Sequence, residues 1–321
     1  MLSFKSSNSK GENRPIAIIK GGKYNNKILY LDITTNESND DIGNLNPSEI
    51  LEDVYEDVNK SKMTIKQMKE LNRLLKRNEP FELTNSNRDL YDIVKNIRDK
   101  STKIGKKEFK IHDDGIIQPL PRFDKTERCY IAGQTECGKS YYIGHYLEQL
   151  IKVFPNKKIF VFSDVEQDPE IDDIFKGKKN MIRFSLDVEL LDKDPIKPDT
   201  FKDSICVFDD IDSIQNVKLL KYVQSLRDSL LRRGRHENIS VLITSHLLTN
   251  YKDTRIILNE CNNIVLFCRS GSSYGIKYLL QKYIGLNKNQ INKVLSLPSR
   301  WVSINKNANQ FILYEKGAFI L

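Results

Sequence analysis

The sequence predicts an α/β protein with a mainly parallel sheet and a smaller N-terminal α+β region ahead of it. Three observations carry that expectation. A glycine-rich loop, Gly133-Gln134-Thr135-Glu136-Cys137-Gly138-Lys139-Ser140, joins an apolar run to an amphipathic helix. A second apolar run, Ile205-Cys206-Val207-Phe208, ends in Asp209-Asp210. Around both, strand-like runs alternate with helical spacing, and repeated βα units imply a parallel sheet covered on both faces.

The loop fits G-x-x-x-x-G-K-[ST], the phosphate-binding pattern, and its context is the required one. Cys129-Tyr130-Ile131-Ala132 reads as the strand before it. Ile143, Leu147, Leu150, Ile151 and Phe154 give helical spacing after it. Glycines let backbone N–H groups converge on a polyphosphate at a helix N-terminus, where unpaired donors and the dipole favour an anion. The candidate nucleotide-binding stretch is therefore Gly133, Gln134, Thr135, Glu136, Cys137, Gly138, Lys139 and Ser140, with Tyr141 directly after it. Lys139 is expected to reach the β/γ-phosphates of ATP and the Ser140 hydroxyl to ligate Mg²⁺. The competing reading is a chance match in a turn containing Gly and Lys, against which the flanking strand and helix weigh.

The acid pair has the form of a Walker B segment. In such a pair the first carboxylate, Asp209, holds Mg²⁺ through water, and the second, Asp210, polarises the attacking water. The alternative is a buried strand running into a solvated acidic turn, which nearby Asp212 also suits.

The chain has 321 residues, 39% hydrophobic and 29% charged, the balance of a soluble globular protein with room for one α/β domain and an appendage. No apolar run nears the roughly 20 residues that span a bilayer, and the N-terminus lacks a signal-peptide core, so no membrane partner is expected. Cysteines 129, 137, 206, 261 and 268 form no C-x-x-C pair, the pattern of reduced thiols. Histidines 112, 145, 236 and 246 are too scattered for a zinc site. The net charge of +8 is uneven: residues 269–321 hold eight Lys/Arg against one acid, whereas residues 1–120 hold 21 against 19. A local basic surplus is the footprint of a nucleic-acid partner, or simply a solvated basic face.

Residues 1–14 are rich in Ser, Lys and Asn and read as disordered. Apolar runs at 16–19 and 28–31 flank Gly21-Gly22 and Asn25-Asn26 and read as a hairpin. Helices are predicted at 47–59, 64–76 and 89–100; in the second, Ile65, Met68, Leu71, Leu74 and Leu75 share one face. A charged linker at 103–114 precedes an extended segment at 115–121, which sets the boundary near residue 110 between an N-terminal region (1–110) and a P-loop domain (111–321). In the latter, strands are predicted at 128–132, 158–163, 181–185, 204–208, 239–244 and 263–267. Helices are predicted at 139–153, 216–233, 253–261, 274–284 and 288–297, and runs at 301–304 and 310–314 read as a closing hairpin.

A third element follows the acid pair. A long helix ends in Leu231-Arg232-Arg233-Gly234-Arg235-His236, and the strand Ile239-Ser240-Val241-Leu242-Ile243-Thr244 then leads to Ser245-His246. Polar groups at the C-terminal end of that strand lie where a γ-phosphate or its water is contacted. The arginines lie at its other end. They either complement the helix dipole or project across a subunit interface as an arginine finger.

The run from the phosphate loop through Arg-Arg-Gly-Arg-His-x-x-Ile-Ser-Val-Leu-Ile-Thr-Ser-His resembles the FtsK–HerA superfamily, and within it the genome-packaging ATPases of large eukaryotic DNA viruses, poxvirus-like and virophage-like. The tail Ser299-Arg300-Trp301-Val302…Ile312-Leu313-Tyr314-Glu315-Lys316-Gly317 is similar to viral members as well. The resemblance spans about residues 115–321. It implies a RecA-like core, a homo-oligomeric ring (hexamer or pentamer), ATP hydrolysis with Mg²⁺, and pumping of double-stranded DNA into a capsid, with capsid or portal partners. It also implies a location in host cytoplasmic viral factories or the virion. Carried over by residue, Lys139 and Ser140 bind phosphates and Mg²⁺, Asp209 holds Mg²⁺ and Asp210 is the base, with His246 at the sensor position; a finger role stays open among Arg232, Arg233 and Arg235. Four positions depart from the family pattern: Glu136 and Cys137 replace small residues, His246 replaces Gln or Asn, and Asp210 replaces the Glu of many members. The alternatives are a nucleotide-controlled assembly or binding module with little hydrolysis, and a replicative helicase on single strands.

Overall fold

The strand that leads into the phosphate loop lies near the middle of a ten-stranded sheet. The computed structural model describes residues 1–8, 11–32, 107–176, 180–191, 196–250, 253–269, 272–307 and 310–321, with 64, 66, 69, 70, 73, 92 and 95. The predicted helix at 47–59 and most of those at 64–76 and 89–100 fall outside the described residues. In chain order the strands are β1 (Leu2–Ser3), β2 (Ser7–Asn8), β3 (Gly11–Glu12), β4 (Arg14–Lys20), β5 (Ile28–Leu31), β6 (Glu108–Lys110), β7 (Ile116–Pro119), β8 (Arg128–Ala132), β9 (Lys158–Ser163), β10 (Met181–Ser185), β11 (Ser204–Asp209), β12 (Ser240–Ser245), β13 (Asn263–Leu266), β14 (Val302–Asn305), β15 (Phe311–Tyr314) and β16 (Gly317–Ile320). The α-helices are α1 (Lys139–Val153), α2 (Pro169–Asp172), α3 (Val217–Arg233), α4 (Arg255–Glu260), α5 (Ser273–Leu279) and α6 (Lys288–Ser296).

The large sheet runs β10-β9-β11-β12-β8-β13-β14-β15-β16-β6. From β10 to β13 every pairing is parallel, and from β13 onward every pairing is antiparallel. This is the predicted α/β architecture, a RecA-like core, with an antiparallel extension. Strands buried on both faces must be apolar throughout, and the pleat sends alternate side chains to opposite layers. In β8, Cys129 and Ile131 join one core layer while Tyr130 and Ala132 join the other. The first layer is completed by α1, the second by α3, α4, α5 and α6. Among the described residues no helix is long and apolar enough to cross a membrane, and the five cysteines form no disulfide.

Three features correct the sequence reading. The first residues are ordered: β1 pairs antiparallel with β5, Leu2 is fully buried, and the Met1 ammonium donates to the Asp32 carbonyl at 2.8 Å. Composition averaged over 1–14 hides the single leucine that closes the hairpin's core. The charged segment 103–114 contains a strand, because β6 pairs with β16 and buries Phe109 between charged neighbours. The closing hairpin gains a third strand, β16, which pairs with β15.

The hairpin β4–β5 also has a partner that local pattern could not supply. Strand β7 pairs antiparallel with β4, from Ala17↔Pro119 to Lys20↔Ile116, in a separate sheet ordered β1-β5-β4-β7. This sheet shares the core layer of α1, and Phe109 joins the two through edge contacts with the rings of Phe4 and Tyr24. Replacing Phe109 with Ala should therefore destabilise the fold by about 3–5 kcal/mol, read as a shift in the urea unfolding midpoint. A loss below about 1 kcal/mol would mean that hairpin and sheet dock without this ring.

Candidate active site

Parallel order brings three strand ends to one edge. Strand β12 lies between β8, which carries the phosphate loop, and β11, which carries the acid pair. The loop, Asp209-Asp210 and Ser245-His246 therefore share the C-terminal edge of the sheet, where open α/β sheets hold their ligands.

Two residues shape the loop. Gly138 sits at φ +101°, a conformation L side chains rarely adopt, at the N-terminus of α1. A Cβ on Gly133 would lie 2.6 Å from Cys137 Sγ and 2.9 Å from Phe267 Cβ. Cys137 thus packs inward over Gly133, which gives its thiol a structural place in the loop. Glu136 takes φ +63° and is exposed, so this acid, unusual for the family, is turned to solvent. Ser140 lies in the first turn of α1, and Tyr141, next to it, is 49% exposed.

Lys139 is only 6% exposed and its ammonium is densely engaged. Nζ donates to the carbonyls of Gly133 at 3.1 Å and Gln134 at 3.3 Å and to His246 Nδ1 at 3.0 Å, and lies 3.5 Å from Asp210 Oδ2. His246 Nε2 lies 3.0 Å from the same Asp210 oxygen. Because an ammonium can only donate, Nδ1 accepts, and the Nε2–H tautomer then serves Asp210. His246 thus bridges lysine and carboxylate in one chain of charge-assisted contacts.

The two acids are separated by a turn. Asp210 takes φ +42°, ψ +39°, in the left-handed region that Asp tolerates better than most residues. Asp209, at the end of β11, is 6% exposed and its carboxylate accepts from Thr244 Oγ1 at 2.7 Å and Ser163 Oγ at 3.2 Å. Burial pushes the Asp209 carboxyl above its ordinary range, and the charges of Asp210 and Asp168 add to this, while the two hydroxyls oppose it. The Thr244 hydroxyl also accepts from the Asp210 N–H at 2.8 Å and lies 3.2 Å from Asp210 Oδ1. One hydroxyl on the intervening strand therefore fixes both acids.

A second clamp holds the turn at Ser245–Leu247. Asp212 Oδ2 accepts from Ser245 Oγ at 3.1 Å and from the His246 N–H at 3.3 Å, and the Tyr130 hydroxyl donates to the Leu247 carbonyl. Sequence reasoning did not find that Thr244, Ser163 and Asp212 hold the site together: it placed the polar end of β12 toward a phosphate, read Asp212 as part of an acidic turn, and left Ser163 without a role. The usable signal was positional: each is a polar residue at or just beyond the C-terminal end of an apolar strand.

The oxygens present suit Mg²⁺, which takes one or two protein ligands beside substrate phosphates. The Ser140 hydroxyl and the Asp209 carboxylate are hard donors, and a buried carboxylate beside a second acid is a place where a cation relieves repulsion.

Two groups of predicted residues lie elsewhere. Arg232, Arg233 and Arg235 are exposed at the end of α3 and in the turn 234–237, which precedes β12 at the end opposite His246. Of the eight basic residues after 268, four are engaged within the fold. Lys293 pairs with Glu108, Arg300 with Glu315 at 2.8 Å, Lys306 donates to the Leu258 carbonyl, and Lys316 donates to Asp113 and Gly115 carbonyls at 2.9 and 2.8 Å. Burial lowers the Lys306 pKa. Arg269, Lys277, Lys282 and Lys288 are exposed.

A phosphate loop, an acid-ended strand and a polar strand end between them on a RecA-like sheet define a P-loop ATPase core. No family model matches the sequence. A protein of Sputnik virophage described as "Uncharacterized protein V3" is 41% identical over 224 residues, which cover 69% of this chain and 87% of the virophage protein. The chain belongs to the same family as this virophage protein. Partial likenesses among solved structures include the genome packaging NTPase B204 of Sulfolobus turreted icosahedral virus 2 in complex with AMPPCP, at TM-score 0.41 and 13% identity, covering 60% of this chain and 98% of that one. They also include the cytoplasmic domain of the Thermomonospora curvata type VII secretion ATPase EccC, at TM-score 0.44 and 13% identity, covering 65% and 28%.

Replacing Thr244 with the near-isosteric Val would leave the Asp210 N–H and Asp209 Oδ1 each short of a partner. Stability should fall by about 1–3 kcal/mol, measured by chemical denaturation without nucleotide. An unchanged midpoint would show that the acids are held in place without this hydroxyl.

Proposed function

We propose that the chain hydrolyses ATP with Mg²⁺ and uses the energy to move double-stranded DNA into a viral capsid as one subunit of a ring. The observation that carries the chemistry is the cluster of Lys139, Asp210 and His246 at the mouth of the phosphate loop. In this reading Lys139 neutralises the β/γ-phosphates, exchanging its loop carbonyls for phosphate oxygens. Ser140 and Asp209 would hold the Mg²⁺, which when bound withdraws charge from the β- and γ-oxygens. Asp210 orients a water and accepts its proton. His246, held by Asp212, keeps one ring nitrogen toward Asp210 and so reports γ-phosphate occupancy to β12. Arg235, at the far end of β12, is proposed to act in trans on a neighbour's nucleotide.

The proposed DNA surface is narrower than the charge count alone suggested. It comprises Arg269, Lys277, Lys282 and Lys288, the basic side chains of the tail that are exposed and for which no ion pair is found among the described residues. These would contact backbone phosphates without reading bases, since pumping must ignore sequence.

Lys139→Ala should abolish ATP binding in equilibrium titration. Asp210→Asn should keep binding and lower turnover by about 10²–10⁴-fold, because only the water-activating carboxylate is removed. Wild-type turnover in the Asp210 variant would remove it from the mechanism and favour the slow assembly-module reading.

Double-stranded DNA should stimulate the ATPase more than single-stranded DNA, and the opposite preference would favour a helicase. Neutralising Lys277, Lys282 and Lys288 should weaken DNA binding for all sequences alike. It should also flatten the salt dependence by about 0.9 for each DNA phosphate left without its lysine. An unaltered slope and affinity would place the DNA surface elsewhere. For Arg235, an Ala variant should poison mixed rings beyond simple dilution; a linear fall with mutant fraction would restore the helix-dipole reading.

A further inference from the structure

The phosphate loop has two flanks, and they differ in chemistry. On the β12 side lie Asp209, Asp210 and His246. On the β13 side a half-open cleft is lined by Gly138 and Tyr141 from the start of α1, Pro119 from β7, Trp301 before β14, and the paired Arg300 and Glu315. We propose that this cleft holds the base of the nucleotide whose phosphates occupy the loop, with Tyr141 as the stacking residue. The inference rests on the phosphate-loop reading and adds to it a location and a set of residues.

Continuity is the first argument. Cys137 and Gly138 belong to the loop and also line the cleft, so a nucleoside leaving the loop on this side enters it directly. On the other side Lys139 meets the polar and charged groups of His246 and Asp210, which suit phosphate and metal better than a flat apolar ring. Composition is the second. The lining is mainly apolar and aromatic with a few polar groups, as small-molecule sites are. It leaves large apolar side chains uncovered, with Tyr141 49% and Ile116 40% exposed.

Rigidity is the third argument. The Arg300 N–H and its Nε each donate to the Glu315 carboxylate at 2.8 Å, and the Ile117 N–H donates to the Glu315 carbonyl at 2.8 Å. The Trp301 ring packs edge-on against Tyr142 at 5.2 Å between centroids. A cleft fixed this way loses little freedom when a flat ring enters. Its β7 wall is itself paired with β4, so the N-terminal sheet braces the base site.

The test compares ATP with inorganic tripolyphosphate, which carries the phosphates and lacks the base, on the full-length chain. Tyr141→Ala should weaken ATP binding about tenfold, the effect of removing one stacking ring, and leave tripolyphosphate affinity unchanged. Tyr141→Phe, which keeps the ring, should bind ATP as wild type does. Because Tyr141 is half exposed, its truncation opens no core cavity. The chain has one tryptophan, Trp301, so its emission should change saturably with ATP and not with tripolyphosphate. An unchanged ratio of the two affinities in Tyr141→Ala, or equal emission changes with both ligands, would overturn the base site and leave the phosphate loop standing. Failure of wild type to bind either ligand would overturn both.

Discussion

Two adjacent carboxylates at the end of a buried strand repel each other, and much of the site can be understood as the solution to that constraint. Successive strand residues point to opposite faces, so Asp209 stays with the sheet while a left-handed turn swings Asp210 toward Lys139 and His246. Compensation then comes from three neighbours in different chemical forms. The Lys139 ammonium offsets Asp210, the Ser163 hydroxyl serves Asp209, and Thr244 serves both. None of these would be in reach without β12 between β8 and β11, with β9 on the outer side. The strand order is thus a requirement of the acid pair.

The same constraint explains what was legible in the sequence. Strands β8, β9, β11, β12 and β13 are sandwiched between helical layers, so each is a mainly apolar run, whereas β10 at the sheet edge carries Arg183 and is only partly buried; the predicted spans of all six fall within about one residue of those observed. The glycine loop and acid pair are legible because their chemistry demands fixed residue types at fixed spacing. Thr244, Ser163 and Asp212 were not, because a hydroxyl or carboxylate at a strand end is common and gains meaning only from which strand lies beside it. Strand β6 escaped for the opposite reason. One buried residue, Phe109, in a charged segment is too little pattern for a strand whose formation depends on β16 as partner. The burial of Leu2 is of the same kind.

The antiparallel half of the sheet also has a purpose beyond closure. It places Ser299–Trp301 and the turn at Glu315 beside the start of α1, and Glu315 in turn binds the backbone of β7. The strap that carries the chain from β6 to the P-loop strand is therefore clamped from two directions, by β4 of the N-terminal hairpin and by the β15–β16 turn. Lys316 reinforces this by donating to the carbonyls of Asp113 and Gly115, so a tail lysine counted as surface charge in the sequence is a structural tie.

Strand β12 joins the remaining parts. Its six residues are buried and the strand pairs with a neighbour on each side, so it moves as a unit or not at all. One end carries Thr244, Ser245 and His246 at the nucleotide edge; the other follows the turn that holds Arg235. In the ring proposed above, that rod would link a subunit's own γ-phosphate contact to the arginine it presents to its neighbour. Asp212 and Tyr130 hold the nucleotide end in register from flanking elements. A shift at His246 therefore has few soft residues in which to dissipate before it reaches the turn at 234–237. Coupling between neighbours would then require only this strand and the helix α3 that feeds it, without a dedicated transmission domain.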